Sequence, residues 1–212
     1  MRSILITLFL LTSSIAISQE RNDFGVVVGT SYYMGDYNLS TQFYQPSPSI
    51  GALLKHNFTN LFALRLSASY GNLKGSHSND NFYLPGNTSN FTKTFIEANL
   101  VAEFGFLPFS IRQSHQNKFS PYVLIGAGGA YINGSIVPQF PMGIGLKYSP
   151  INRLSVGIEW RLHKTIYDSI DQYKNISEEP RSIIHNNDWF GIAGIVVTYR
   201  LINKGAICPA YE

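Results

Sequence analysis

Side chains capable of chemistry are scattered along this 212-residue chain. His56, His77, His115, His163 and His185 fall on separate stretches, and the single cysteine is Cys208 near the C-terminus. Structural zinc sites draw on closely spaced Cys and His pairs, a spacing that does not occur here. Only "GSHSND" brings a nucleophile, a base and a carboxylate together locally, as Ser76, His77, Ser78 and Asp80. Nucleophilic catalysis needs these groups held in fixed register. They stand instead in a Gly- and Asn-rich stretch that reads as a loop, so no catalytic residue, metal or cofactor is expected. The glycine run "IGAGGAY" at 125 to 131 opens no helix, and so is no phosphate cradle. Its glycines are expected to relieve crowding or admit a close neighbour.

A second set of charges has an order that the histidines lack. Arg65, Glu97, Glu103, Lys147, Glu159, Arg161 and Arg200 all sit on the polar side of stretches that alternate with period two. In "LFALRLSASY" one face carries Phe62, Leu64, Leu66, Ala68 and Tyr70, the other Ala63, Arg65, Ser67, Ser69 and Gly71. "TFIEANLVAEFGF" sets Ile96, Ala98, Leu100, Ala102, Phe104 and Phe106 against Phe95, Glu97, Asn99, Val101, Glu103 and Gly105. "LSVGIEWRLH" sets Leu154, Val156, Ile158, Trp160 and Leu162 against Ser155, Gly157, Glu159, Arg161 and His163. His163 is expected to pair with Glu159.

The elements that carry these faces number eight, at 23–35, 47–57, 61–74, 93–107, 119–133, 138–149, 152–166 and 188–202. Most exceed the five or six residues of an ordinary strand and reach the 9 to 11 needed to cross a bilayer. The expected fold is therefore all-β: an eight-stranded antiparallel transmembrane barrel of the outer-membrane type. In such a barrel the apolar face points outward, and the charges fill a lumen too narrow for a channel, neutralising one another. Tyr32, Tyr70, Phe106, Tyr148, Trp160, Trp189 and Tyr199 are placed in aromatic girdles near strand ends. Short turns at 57–60 and 149–152 alternate with longer loops at 36–46, 75–92 and 167–187. Two connections strain this pattern, 108–118 being long for its side and 133–137 short.

Composition fits that architecture. Only 14% of residues are charged, against roughly 25% in an average soluble protein. The net charge of +3 forms no stripe, which disfavours nucleic acid as a partner. Residues 1–18 read as a signal peptide, with Arg2, an apolar run from Ile4 to Leu11 and Ala16-Ile17-Ser18 before the cut. That leaves 19–203 as the barrel and 204–212 as a tail, with both termini on the periplasmic side of the outer membrane. One cysteine makes no internal disulfide. Cys208 is thus a free thiol or an intermolecular partner.

Beyond these patterns, "GTSYYMGDYN", "NLFALRLSASYGNLKG", "FSPYVLIGAGGAYI", "FPMGIGLKYSPINRLSVGIEWRLHKTIYDSID" and "NNDWFGIAGIVVTYRL" with a Cys-Pro-x-Tyr tail resemble the PorG-type family of Bacteroidota. The resemblance covers nearly the whole chain after the leader, with shorter loops after Tyr131 and Asp171. It implies a non-enzymatic outer-membrane component of the type IX secretion system, associated with the periplasmic ring of the lipoprotein PorK and PorN. The alternative is a stand-alone barrel of the OmpA or OmpX kind, structural or adhesive. On the first reading the partner-binding candidates are Asn57, Asn60, Arg112, Lys118, Asn152, Arg153, Lys204, Cys208, Pro209 and Tyr211, the last group including a possible mixed disulfide through Cys208.

Overall fold

In the computed structural model the structure describes residues 22–34, 43–76, 90–108, 118–132, 134–151, 153–166 and 189–201. Eight strands, β1 (Asn22–Met34), β2 (Ser47–Asn57), β3 (Phe62–Ser76), β4 (Asn90–Gly105), β5 (Phe119–Ile132), β6 (Ser135–Ile151), β7 (Leu154–Thr165) and β8 (Trp189–Leu201), follow one another around a closed sheet. Every neighbouring pair is antiparallel, and β1 closes on β8 from Asn22↔Leu201 to Met34↔Trp189. Closure leaves no unpaired edge, which is the only way a sheet satisfies all its backbone groups in hydrocarbon.

Alternation decides which way each side chain points. Along β3, Arg65, Ser67 and Ser69 are buried inside while Leu66 and Tyr70 stand exposed outside. On β4 the buried Glu97, Asn99, Val101 and Glu103 alternate with exposed Ile96, Leu100 and Phe104. The outer wall is an uncharged apolar belt, with Val26, Ile50, Leu54, Ile125, Ile144, Ile158 and Ile195 all exposed. Near the end that carries β1's start and β8's finish, Phe24, Phe62, Phe106, Phe119, Tyr148 and Tyr199 ring the belt; Tyr70 and Tyr131 stand at the other end. Exposed apolar side chains on such a scale have no place on a water-soluble surface.

Two expected girdle members behave differently. Tyr32 has no exposed surface. Its ring lies across Gly191, where a Cβ would collide with the phenol, and its hydroxyl accepts a hydrogen bond from Trp160 Nε1 at 2.7 Å. Phe43 covers the pair, 4.7 Å from Tyr32 and 6.4 Å from Trp160 between ring centroids. Trp160 itself sits mid-strand in β7. The three rings therefore form a staple on the outer wall across β1, β8 and β7. Alternation places a ring outside but does not reveal that a glycine next to it lets the ring lie flat.

The connections are tighter than the residue types suggest. Ile132 pairs with Ser135, so the hairpin between β5 and β6 turns in two residues, with Gly134 at φ 88°. The expected loop at 133–137 is thus mostly strand, because a two-residue turn needs the left-handed backbone that glycine adopts freely. Likewise β6 continues to Ile151, which pairs with Leu154 after a register shift beyond Tyr148, and Arg153 takes φ 75°. Ser149 Oγ donates towards the Ile151 and Leu154 carbonyls, holding this irregular corner. At the β2–β3 corner, Thr59 Oγ1 accepts from the Leu61 and Phe62 N–H groups. The 75–92 connection is shortened from both sides, since β3 reaches Ser76 and β4 begins at Asn90.

Candidate functional site in the lumen and at the rims

Inside the barrel, four carboxylates gather the charges from all around the wall. Near the end that carries β1's start and β8's finish, Asp23 on β1 receives Arg200 of β8 at 2.8 and 3.4 Å and Asn57 Nδ2 of β2 at 2.9 Å. Lys55 on β2 stands 3.8 Å from Asp23 and 3.4 Å from Glu103. Glu103 on β4 is held more closely by Lys147 of β6, at 2.8 Å. Deeper in, Glu159 on β7 accepts both guanidinium nitrogens of Arg65 at 2.6 Å, the Arg161 Nε at 2.9 Å and the Tyr122 hydroxyl at 2.7 Å. Glu97 accepts Gln139 Nε2 at 2.8 Å and lies 3.7 Å from Arg161.

Glu97, Glu103 and Glu159 thus bind side chains from strands that are not their neighbours in the sheet, while Asp23 ties β1 to β8 and β2 on either side of it. Every one of the eight strands contributes, β5 through Tyr122. The fork of Arg65 on Glu159 is the bidentate geometry in which a buried guanidinium loses least on leaving water. Tyr122 reaches Glu159 across β6 only because Gly145 lies beneath its ring, where a Cβ would strike the phenol. Gly126 and Gly128 of the glycine run serve a similar end, as a Cβ there would meet the Leu100 carbonyl and the Asn99 side chain; a Cβ at Gly129 would meet Ile136 and Val137 only at ordinary contact distance, 3.7 Å.

His163 does not pair with Glu159. Its Nδ1 lies 3.1 Å from Glu97 Oε2, off the line a hydrogen bond requires, and its ring stacks on Phe190 at 4.5 Å. Beyond it the lumen turns apolar: Tyr33, Leu73, Phe95, Ala130, Ile132, Phe190 and Ile192 pack together in its loop-side half. Ser31 Oγ donates to the Asn72 carbonyl at 2.7 Å, drawing β3 towards β1 above the short β2. The lumen is filled by charges below and sealed by hydrocarbon above.

The seven charges singled out in the sequence, Arg65, Glu97, Glu103, Lys147, Glu159, Arg161 and Arg200, all point into this lumen. Asp23, Lys55, Tyr122 and Gln139 complete the network and were not among them. Their signal was present: Lys55 follows Leu53 on the buried face of β2, and Asp23 shares its face with Val27. A charge near a strand end looks like a turn residue until the partner strand is known.

Rim positions are less concentrated. Asn60, Lys118 and Arg153 are exposed on the end that carries β1's start and β8's finish, whereas Asn57 turns in to Asp23. Arg112, Asn152, Lys204, Cys208, Pro209 and Tyr211 lie outside the described residues, as do residues 1–18 expected as a signal peptide and His77, Ser78 and Asp80. Among the described residues no group of three or more His, Cys, Asp or Glu side chains is placed to hold a metal ion.

These features define a closed eight-stranded barrel of the outer-membrane type with a filled lumen. The chain belongs to the family described as a domain of unknown function (DUF6089), which it matches over residues 2–210. No curated protein sequence matches it. In fold it is similar to Ail, the attachment invasion locus protein of Yersinia pestis, with 11% identity, 86% of this chain and 99% of Ail covered, and a TM-score of 0.48. It is similar in the same way to Neisserial surface protein A (11% identity, 84% and 96% covered, TM-score 0.48) and to OprG from Pseudomonas aeruginosa (10% identity, 85% and 97% covered, TM-score 0.48). At these identities the likeness is one of barrel outline.

Proposed function

We propose that this protein is a non-conducting, non-enzymatic barrel of the bacterial outer membrane that anchors or aligns the periplasmic PorK/PorN ring of the type IX secretion system. One observation carries the reading: the lumen is closed by its own ion pairs and apolar cap, so the barrel offers partners its rims rather than a passage. The uncharged outer belt supports placement in a bilayer. The motif resemblance from "GTSYYMGDYN" to the Cys-Pro-x-Tyr tail supports the choice of machine. On this reading both termini are periplasmic, and the ring docks on the end bearing Asn60, Lys118, Arg153 and the tail from Lys204, with Cys208 available for a disulfide to a partner.

Affinity purification of the tagged protein from gently solubilised outer membranes is expected to recover PorK and PorN. An intact ring that never co-purifies with the barrel would overturn the proposal. Gene deletion separates it from the stand-alone alternative. Loss of secretion of proteins bearing a type IX signal is expected; normal secretion with altered adhesion would favour an OmpA- or OmpX-like role, and altered lipid A would point to an enzyme.

A further inference from the structure

The apolar belt is not even. On the wall formed by β5 to β8 it holds a groove of about 750 Å³, within the roughly 300–1,000 Å³ of small-molecule sites. Strand register makes it. One outward row runs Pro121, Leu146, Ile158, Ile195 and the next Val123, Ile144, Trp160, Ala193, each residue standing opposite the one after it. Pro121, Leu146 and Ala193 are half-buried while Ile144, Ile158 and Ile195 stand out, so the wall dips between them. Trp160 bounds the dip towards the loops. Its indole is pinned by the hydrogen bond to Tyr32 and covered by Phe43, so the groove keeps its shape when empty.

Two cations stand at the foot of the same strands. Lys118 precedes Pro121 by three residues at the entry to β5, Arg153 precedes Ile158 by five at the entry to β7, and both are exposed. Their backbones are fixed: the Lys118 carbonyl accepts the Ser149 N–H and the Arg153 carbonyl the Arg200 N–H, each at 2.8 Å. Phe119 and Tyr148, paired across β5 and β6, stand exposed between Lys118 and the groove, as an interfacial girdle does. Arg153 and Trp160 are seven residues apart. At about 3.3 Å per residue and a tilt of about 45°, that is about 16 Å of depth, one leaflet of a ~30 Å hydrocarbon core.

We propose that this groove is a binding site for one anionic phospholipid of the leaflet at that rim. An acyl chain lies over Pro121, Leu146 and Ala193 and ends against Trp160, and the phosphate is held by Lys118 and Arg153. A lipid is the occupant because the groove opens into the apolar belt and its distance from the two cations matches the depth of one leaflet. A neutral lipid would fill the groove but gain nothing from the cations. The inference rests on the bilayer placement proposed above, with this rim periplasmic, and it needs no ring protein.

The test uses the full barrel with Trp189→Phe, which leaves Trp160 as the only tryptophan. It is folded into vesicles of mixed phosphatidylcholine and phosphatidylglycerol, with bromine on the acyl chains of one lipid or the other. Quenching of Trp160 is expected to show phosphatidylglycerol bound beside it about fivefold more tightly, the gain that one Lys or Arg makes near an anionic lipid surface. Lys118→Gln combined with Arg153→Gln is expected to remove that preference and to leave quenching by brominated phosphatidylcholine intact. Leu146→Phe, which fills the floor of the groove, is expected to reduce the preference with both cations in place. Heat-modifiable gel migration checks that each variant folds, and either one serves if the other does not. Equal quenching by the two lipids in the parent barrel would overturn the proposal, as would an undiminished preference in either folded variant. Quenching by neither lipid would overturn it too: a dimer by light scattering would then put a second copy on the groove, whereas a monomer would take this wall out of hydrocarbon and the bilayer placement with it.

Discussion

Glu159 is the residue on which most of the interior converges, since Arg65, Arg161 and Tyr122 all address its two oxygens. Removing one partner of a buried ion pair leaves the other charge stranded, a loss of about 3–5 kcal/mol. Glu159→Ala is therefore expected to lower the equilibrium stability of the folded barrel by about that amount, and more than it loses for any single outward Ile→Val change, which falls at about 0.5–1.5 kcal/mol. Urea unfolding in lipid vesicles, followed by tryptophan fluorescence, measures both. Tyr122→Phe keeps the ring over Gly145 and deletes only one hydroxyl, so a loss of about 1–2 kcal/mol is expected. Equal losses for Tyr122→Phe and Glu159→Ala would mean that the network is not centred on Glu159.

At the scale of elements, the staple on the outer wall joins strands that the backbone ladder alone connects in sequence. Tyr32 of β1 crosses Gly191 of β8 to meet Trp160 of β7. Gly191→Val must expel the Tyr32 ring and break its hydrogen bond to Trp160, so Trp160 is expected to become more accessible to a membrane-resident quencher while the barrel still forms. Unchanged quenching of Trp160 would show that the ring finds another way to stay. The two-residue turn at Gly134 makes a separate prediction. Because φ there is positive, Gly134→Val is expected to strain the β5–β6 hairpin by about 1–2 kcal/mol, whereas Gly129→Ala, whose Cβ would meet Ile136 and Val137 only at ordinary contact distance, should be nearly neutral.

For the whole molecule, the filled lumen and the apolar belt lead to different measurements. Reconstituted into planar bilayers, the barrel is expected to give no steady ion conductance, because the ion pairs below and the cluster of Tyr33, Phe95 and Phe190 above leave no continuous aqueous path. Stable single-channel steps from pure protein would refute that closure. The belt predicts a depth-dependent penalty for charge: Leu100→Arg, near the middle of β4's outer face, is expected to destabilise the bilayer-embedded barrel by about 2–4 kcal/mol. If the same change were tolerated in vesicles at no measurable loss, that face would not lie in hydrocarbon.

Strand number, length and facing were legible from residue order, because a β-strand turns alternate side chains to opposite faces and period two survives in any one stretch of sequence. Thus Arg65, Glu97, Glu103, Glu159 and Arg161 could be assigned to the interior one strand at a time. Their partners could not. Arg65 meets Glu159 ninety-four positions away, and Asp23 meets Arg200 across the closing seam, pairings set by the register around the ring rather than by any local pattern. The same holds for Tyr32 on Gly191, for His163 facing Glu97 instead of Glu159, and for the groove beside Trp160. Sequence fixes which face a side chain occupies because that depends on its neighbours in the chain; only closure of the barrel fixes what it meets there, because that depends on how eight strands slide against one another before the last pair joins the first.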